Sequence, residues 1–255
     1  MRIDVNAFLG PYPWREVPGT GADALLAAMD RVGIDEAWVT HLPSVFGQDP
    51  PEETRRLGVA GVARLRPVPT VHPGRPGWEG AVRDAVRARA PAVRCDPTFL
   101  HLDPTGPEQR ALVAACGEAR IPLMMAVRLE DGRQRHPEDG APELSAAAVR
   151  VMIRSHRSAR LIVTHADRGF IEEVHFGSTP AEASRIWWDI CWVWGPPEDH
   201  LAMLLRTIGV ERFVFGTGQP LRIPENSVAK LDLLDLAPEQ RAAIEGGNAR
   251  SMGER

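Results

Sequence analysis

A chain of 255 residues, 44% hydrophobic and 25% charged, has the size of one (β/α)8 barrel or of two small domains, and is long enough to bury a large core. Its net charge of −4 offers no basic surface for nucleic acid or an anionic membrane, and no run approaches the roughly 18 apolar residues of a spanning helix. No charged start leads into an apolar run, and Cys95, Cys116 and Cys191 are too scattered for a disulfide framework or a clustered zinc site, so a cytoplasmic protein with reduced thiols is expected.

Short apolar segments alternate with stretches of helical period. The strand candidates are 2–8, 35–41, 61–71, 91–96, 121–128, 160–165, 185–191 and 212–217, spaced as βα units are. Between the first two, Leu25, Leu26, Met29 and Val32 share a helical face, and Gly33 is placed to end it. A second helix around 51–60 is only weakly patterned. Trp78, Ala81, Val82, Ala85 and Val86 repeat the stripe, and Pro107 opens a helix burying Leu112, Val113 and Cys116. Leu144, Ala147, Ala148, Val151 and Met152 form the next stripe. Leu201, Leu204, Leu205 and Ile208 follow Pro196 and Pro197 and stop at Gly209. Eight such units without a break in composition predict one α/β domain over residues 1–255, a single TIM barrel. An open doubly wound sheet is disfavoured, because Asn6-Ala7-Phe8-Leu9-Gly10-Pro11 after the first strand is no glycine-rich phosphate loop.

Three segments carry more than fold: Ile3-Asp4-Val5-Asn6-Ala7-Phe8, Thr164-His165-Ala166-Asp167, and Phe215-Gly216-Thr217-Gly218-Gln219-Pro220. With the closing Gly246-Gly247-Asn248-Ala249-Arg250, they resemble the amidohydrolase-2 branch of the amidohydrolase superfamily. The resemblance implies a site at the C-terminal ends of the strands and metal-assisted hydrolysis or nonoxidative decarboxylation. Transferred residue by residue, it also implies a defect. The family's first-strand histidines fall on Asn6 and Phe8, its strand-five histidine near Val127 or Arg128, and its strand-eight aspartate on Gly218. The only lysine, Lys230, lies beyond strand eight, so the strand-four ligand has no counterpart. His165 alone survives, and no cofactor is expected; a divalent ion such as zinc would have to use His165 with Asp96 or Asp189.

The residues that remain suggest acid–base chemistry without the usual metal. His165 ends strand six, where it can handle protons or else be a hydrogen-bonded histidine kept by the fold, and Asp189 ends strand seven beside it, where a carboxylate can orient an imidazole and raise its pKa or else bond backbone amides and fix the next loop. Arg94, Asp96 and Arg128 end strands four and five; the arginines offer a planar fork for a carboxylate, or else pair with acids between strand ends. Asn6 can hydrogen-bond a ligand, and Asp4 reads as a structural anchor. His72 follows strand three at the correct end. Trp188, among four tryptophans within residues 187–194, would contribute an aromatic wall or else plain core. A small-molecule partner is expected, with a homo-oligomer plausible on the apolar barrel helices. The leading expectation is an amidohydrolase-like hydrolase or decarboxylase-type lyase acting on a small carboxylate, lactone or amide at the barrel mouth. The alternatives are a barrel that only binds a ligand or protein, and a metal hydrolase with unconventional ligands. A hydrophobic plug over the mouth would count against catalysis there.

Overall fold

The computed structural model describes residues 1–48, 59 and 61–253. Eight parallel strands run in chain order: β1 (Ile3–Leu9), β2 (Glu36–His41), β3 (Leu65–Pro67), β4 (Val93–Arg94), β5 (Leu123–Ala126), β6 (Leu161–Thr164), β7 (Ile186–Asp189) and β8 (Phe213–Val214). They pair as β1-β2-β3 and β4-β5-β6-β7-β8. Backbone hydrogen bonds join the two sets. Val71 N–H donates to Arg94 O (2.8 Å) and Arg94 N–H to Pro69 O (2.9 Å), stitching β3 to β4. Val5 N–H donates to Phe215 O (3.0 Å) and Gly218 N–H to Asn6 O (2.8 Å), stitching β8 to β1. Every strand therefore has two neighbours, and the sheet is a closed TIM barrel.

Every strand after β1 is shorter than the sequence pattern predicts, β8 being cut to Phe213–Val214, and for β3 and β4 the cause is visible. In the 61–71 segment Pro67 and Pro69 have no N–H to donate, so regular pairing is confined to Leu65–Pro67. In 91–96 the strand stops at Arg94, because the Ala126 N–H is taken by the Asp96 side chain (2.6 Å) instead of a backbone carbonyl.

The helices pack outside the barrel as their stripes require. Ala22–Val32 buries Leu25 and Met29 and ends at Gly33, and Pro107–Glu118 opens on its proline and buries Leu112, Val113 and Cys116. The fifth stripe is displaced. Ser145 caps Ala146–Ser155 by accepting from Ala148 N–H, and the buried face becomes Ala148, Val149, Met152 and Ile153, leaving Ala147 exposed. The predicted helix around 51–60 lies outside the described residues, apart from Val59. Among the described residues no helix is long and apolar enough to cross a membrane.

Strand alternation divides the interior. Val5, Trp38, Val68, Ala92, Met124, Ile162, Trp187 and Val214 fill the N-terminal end, where Ala249 and Met252 close the barrel. One pleat further, the inward positions turn polar, with Asn6, Arg94 and Asp189 all buried. Residues between these face the helices. Trp188 is one of them: it lies in the layer between barrel and helices, edge-on to Phe170 with ring centroids 6.3 Å apart.

Candidate active site

The polar layer is assembled from strand ends. Arg94 reaches across the barrel from β4. Its Nε donates to Asp96 Oδ2 (2.6 Å) and its Nη1 to Asn6 Oδ1 (3.1 Å), while the guanidinium carbon sits 4.6 Å from the centre of the Phe8 ring. The bond to Asn6 fixes which way that amide points. Its Nδ2 then donates to Asp189 Oδ2 (2.8 Å) and faces His165 Nδ1 (3.3 Å). Nδ1 also lies 3.2 Å from Thr164 Oγ1, whose own hydrogen goes to Met125 O, so the ring can accept from Asn6 with its proton on Nε2 or donate to Thr164 from Nδ1. Nε2 itself is buried and has no hydrogen-bond partner among the described residues.

Asp189 does not orient the imidazole; it takes the other role open to it from sequence, bonding a backbone amide. His165 adopts a left-handed backbone (φ 57°), at a cost of about 1–2 kcal/mol for a residue with a Cβ, and this turns its N–H onto Asp189 Oδ1 (2.9 Å). The expected rise in imidazole basicity is likewise reversed. Burial, followed by the positive charges of Arg222, Arg94 and Arg128, holds the His165 pKa well below its ordinary value of 6.5. Burial pushes the Asp189 carboxyl above the ordinary carboxylate range, although Cys191, Asn6 and the His165 N–H oppose the shift. The Cys191 thiol is pushed well upward by burial and by Asp189, so it is no ready nucleophile.

Two glycines let these side chains pack closely against the backbone. A Cβ on Gly216 would lie 2.7 Å from Asp189 Oδ2. Gly218 occupies the family's aspartate position, with φ 72°, and a Cβ there would meet His165 Nε2 at 2.9 Å and Arg222 Cδ at 3.3 Å. His165 and Arg222 are thus neighbours over Gly218. Arg222 lies in the loop after β8 and went unnoticed in the sequence, where only its place four residues beyond Gly218, at the catalytic end of a barrel strand, could have marked it. Its guanidinium stacks on Trp192 (3.6 Å to the ring centre), with Arg128 5.5 Å from the same ring and the His165 ring 5.8 Å away.

The other predicted site residues divide. Asp96 links β4 to β5 and anchors Arg94, one oxygen accepting from Ala126 N–H and the other from Arg94 Nε. Arg128 lies near the mouth but bridges Asp167 (2.6 Å) and Glu143 (2.8 Å), as in the pairing alternative. Asp4 is an anchor, accepting from Asn6 N–H, Thr217 N–H and Thr217 Oγ1, and burial raises its pKa to about 6. His72 sits in a loop accepting from Gly74 N–H (3.1 Å), and no contact ties it to the polar cluster among the described residues. Trp188 stands on the far side of its strand and cannot wall the mouth, because one residue of offset along β7 reverses the face.

Above this layer the barrel is roofed. Phe8, Tyr12, Leu42, Phe99, Ala126 and Leu129 form one apolar cluster, with Trp14, Phe46 and Leu221 packed on it. Phe46 meets Tyr12, Trp14 and Phe99 edge-on at 5.9, 6.1 and 5.4 Å. Asn6, Arg94, Asp96, His165 and Asp189 are each at most 1% exposed. His165, Asp189 and Cys191 bring one possible ligand atom each to within 4.8 Å of one another, so a metal-sized cluster of donors does exist.

A family model for amidohydrolases matches residues 52–252. No curated protein matches the chain. Among solved structures, 2,6-dihydroxybenzoate decarboxylase from Rhizobium is 14% identical, with a TM-score of 0.75 over 99% of this chain and 98% of that one. A dihydroxybenzoic acid decarboxylase from Polaromonas sp. JS666, with bound manganese and the inhibitor 2-nitroresorcinol, is 12% identical, with a TM-score of 0.74 over 99% of this chain and 96% of its own. A 5-carboxyvanillate decarboxylase from Sphingomonas paucimobilis is 15% identical, with a TM-score of 0.66 over 89% and 81%. At these identities the structures support the fold, while the family match covers most of the sequence: the chain belongs to the amidohydrolase family.

Proposed function

We propose that the protein is an amidohydrolase-type hydrolase or decarboxylase-type lyase acting on a small, flat carboxylate, and that it works without the family's usual metal centre. One observation carries this reading. Arg94 Nη2, Arg128 Nε, His165 Nε2 and Arg222 Nε are all buried nitrogen atoms without a hydrogen-bond partner among the described residues, and the three guanidiniums all act electrostatically on His165. Buried donors left unpaired are costly, and a carboxylate would satisfy them. Trp192 and Phe8 flank the same space, which suits a planar substrate. The relatives that decarboxylate hydroxybenzoates support the substrate class.

The residues do not fit a metal in the family's manner. Asn6, Phe8 and Gly218 stand where ligands would be, and three guanidiniums disfavour a further cation. In the His165–Asp189–Cys191 group, both Asp189 oxygens already accept hydrogen bonds, and the thiol is held protonated. In place of a Lewis acid, Arg94 and Arg222 supply fixed positive charge. His165, neutral and in the tautomer that accepts from Asn6 and carries its proton on Nε2, donates to the substrate oxygen on which negative charge develops, in a site already desolvated. This role differs from the proton shuttle expected from sequence, because an imidazole with so low a pKa carries no second proton at neutral pH. The apolar roof favours a second reading, a barrel that binds its carboxylate and no longer turns it over.

Calorimetry with benzoate, joined to product analysis by NMR over a panel of aromatic and aliphatic carboxylates, lactones and amides, tests both. Benzoate should bind the dialysed protein and bind Arg222→Gln at least about tenfold more weakly. Equal affinity in the variant would remove the arginine site, and turnover that needs added Mn²⁺ or Zn²⁺ would remove the metal-free reading. Binding without turnover of any compound would favour the second reading.

A further inference from the structure

A cavity of about 500 Å³ lies beside the barrel axis, between residues 191–198, which follow β7, and the helix Pro224–Asp232. Its walls include Cys191, Trp192, Arg222 and Lys230, with Trp194, 58% exposed, at the rim. Two of these residues also belong to the polar cluster around His165. Cys191 faces Asn6 Nδ2 from 3.9 Å, and Arg222 shares the space above Gly218 with His165 Nε2. The cavity and the site are therefore separated by little more than the Arg222 side chain lying on Trp192.

We infer that a small carboxylate reaches His165 from the side, through this cavity, with Arg222 as the group that passes it from entrance to site. The inference rests on the carboxylate reading above. Among the described residues the packed rings of Tyr12, Trp14, Phe46 and Phe99 lie over the barrel axis, whereas the lateral cavity already touches two members of the cluster. Its charge also suits an anion. No carboxylate pairs with Arg222 or Lys230 among the described residues, and Lys230 Nζ donates only to the carbonyls of Ile190 (3.0 Å) and Cys191 (2.8 Å). Asp131 and Glu198 are on the wall too; the charge of Asp131 is matched by a two-pronged contact with Arg133, which leaves two cations on the lining against the one carboxylate of Glu198. Arg222 is held by stacking and not by an ion pair, so it can swing without breaking a salt bridge.

Thiol accessibility in the full-length protein tests the route. Cys191 lines the cavity, while Cys95 and Cys116 are buried between barrel and helices and report any general unfolding. Burial raises the pKa of all three thiols. With iodoacetamide, followed by peptide mass spectrometry, Cys191 should label at least about tenfold faster than either control. Ala229→Trp or Asn226→Trp, at exposed positions on the cavity wall, should slow Cys191 selectively, and Phe46→Ala, which opens the roof, should leave its rate unchanged. The inference fails if Cys191 labels no faster than the controls, or if Phe46→Ala accelerates it while both tryptophan variants do not slow it. Protection of Cys191 by benzoate adds the carboxylate itself. If the variants behave as stated but benzoate neither binds nor protects, the route stands and the carboxylate reading falls.

Discussion

His165 is neutral in the folded protein because burial and three guanidiniums hold its pKa well below 6.5, and removing it should alter how stability depends on pH. The unfolded chain takes up a proton at this residue below pH 6.5 and the folded chain does not. The contribution of His165 to stability is therefore fully present above pH 6.5 and is lost as pH falls, at about 1.4 kcal/mol per pH unit. Between pH 6.5 and 5 the loss reaches about 2 kcal/mol, or roughly 4–8 °C in Tm for a chain of this length. Asp4 acts in the opposite sense: with a folded pKa of about 6, it binds its proton more tightly folded than unfolded and so gains stability as the medium acidifies. The wild-type curve alone would therefore mislead, and the difference between wild type and His165→Gln isolates the imidazole. Urea denaturation of both proteins at half-unit steps from pH 7.5 to 5 gives that difference. It should be flat above pH 6.5 and then move by about 2 kcal/mol in favour of the glutamine variant. Parallel curves throughout would mean that His165 protonates normally in the folded state, and the reasoning from buried positive charge would be refuted.

Arg94→Met should cost about 3–5 kcal/mol in urea denaturation, because it leaves Asp96 charged and buried, and Arg94→Met with Asp96→Asn should recover much of the loss. Gly218→Ala should lose benzoate affinity by at least about tenfold in calorimetry, since its Cβ would enter the space beside His165 Nε2, with a stability penalty of about 1 kcal/mol from its positive φ. Trp188→Phe should lower stability by about 1–3 kcal/mol and leave benzoate affinity unchanged, because Trp188 packs between barrel and helices. Dialysis against EDTA should shift Tm by less than about 1 °C, whereas a resident ion would contribute several kcal/mol by linkage; elemental analysis should find no stoichiometric zinc or manganese.

The barrel was legible because its signals are local and repeated: each strand is a short apolar run, and Gly33 and Pro107 end and begin helices at the residues the pattern indicates. The membership of the site was legible in part. Asn6, Arg94, His165 and Asp189 do converge, since strand ends of a closed barrel must. Their pairings were not legible. Whether Asp189 meets the ring or the backbone of His165 depends on one left-handed residue, and nothing in the Thr-His-Ala-Asp run announces it. Trp188 and Trp187 differ by one residue and lie on opposite faces, so composition alone could not separate wall from core. Arg222 comes from a loop, where no periodicity places a side chain.

The seam between β1 and β8 has a consequence for how the protein is made. Asp4 bonds Thr217, and Val5 bonds Phe215, so partners more than two hundred positions apart must meet before the cylinder exists. On a ribosome the first strand emerges early and then waits, with its outer edge unpaired, until the eighth has been synthesised. During that interval it is an open template for any other strand, and a chaperone that covers it would raise yield without touching the finished fold.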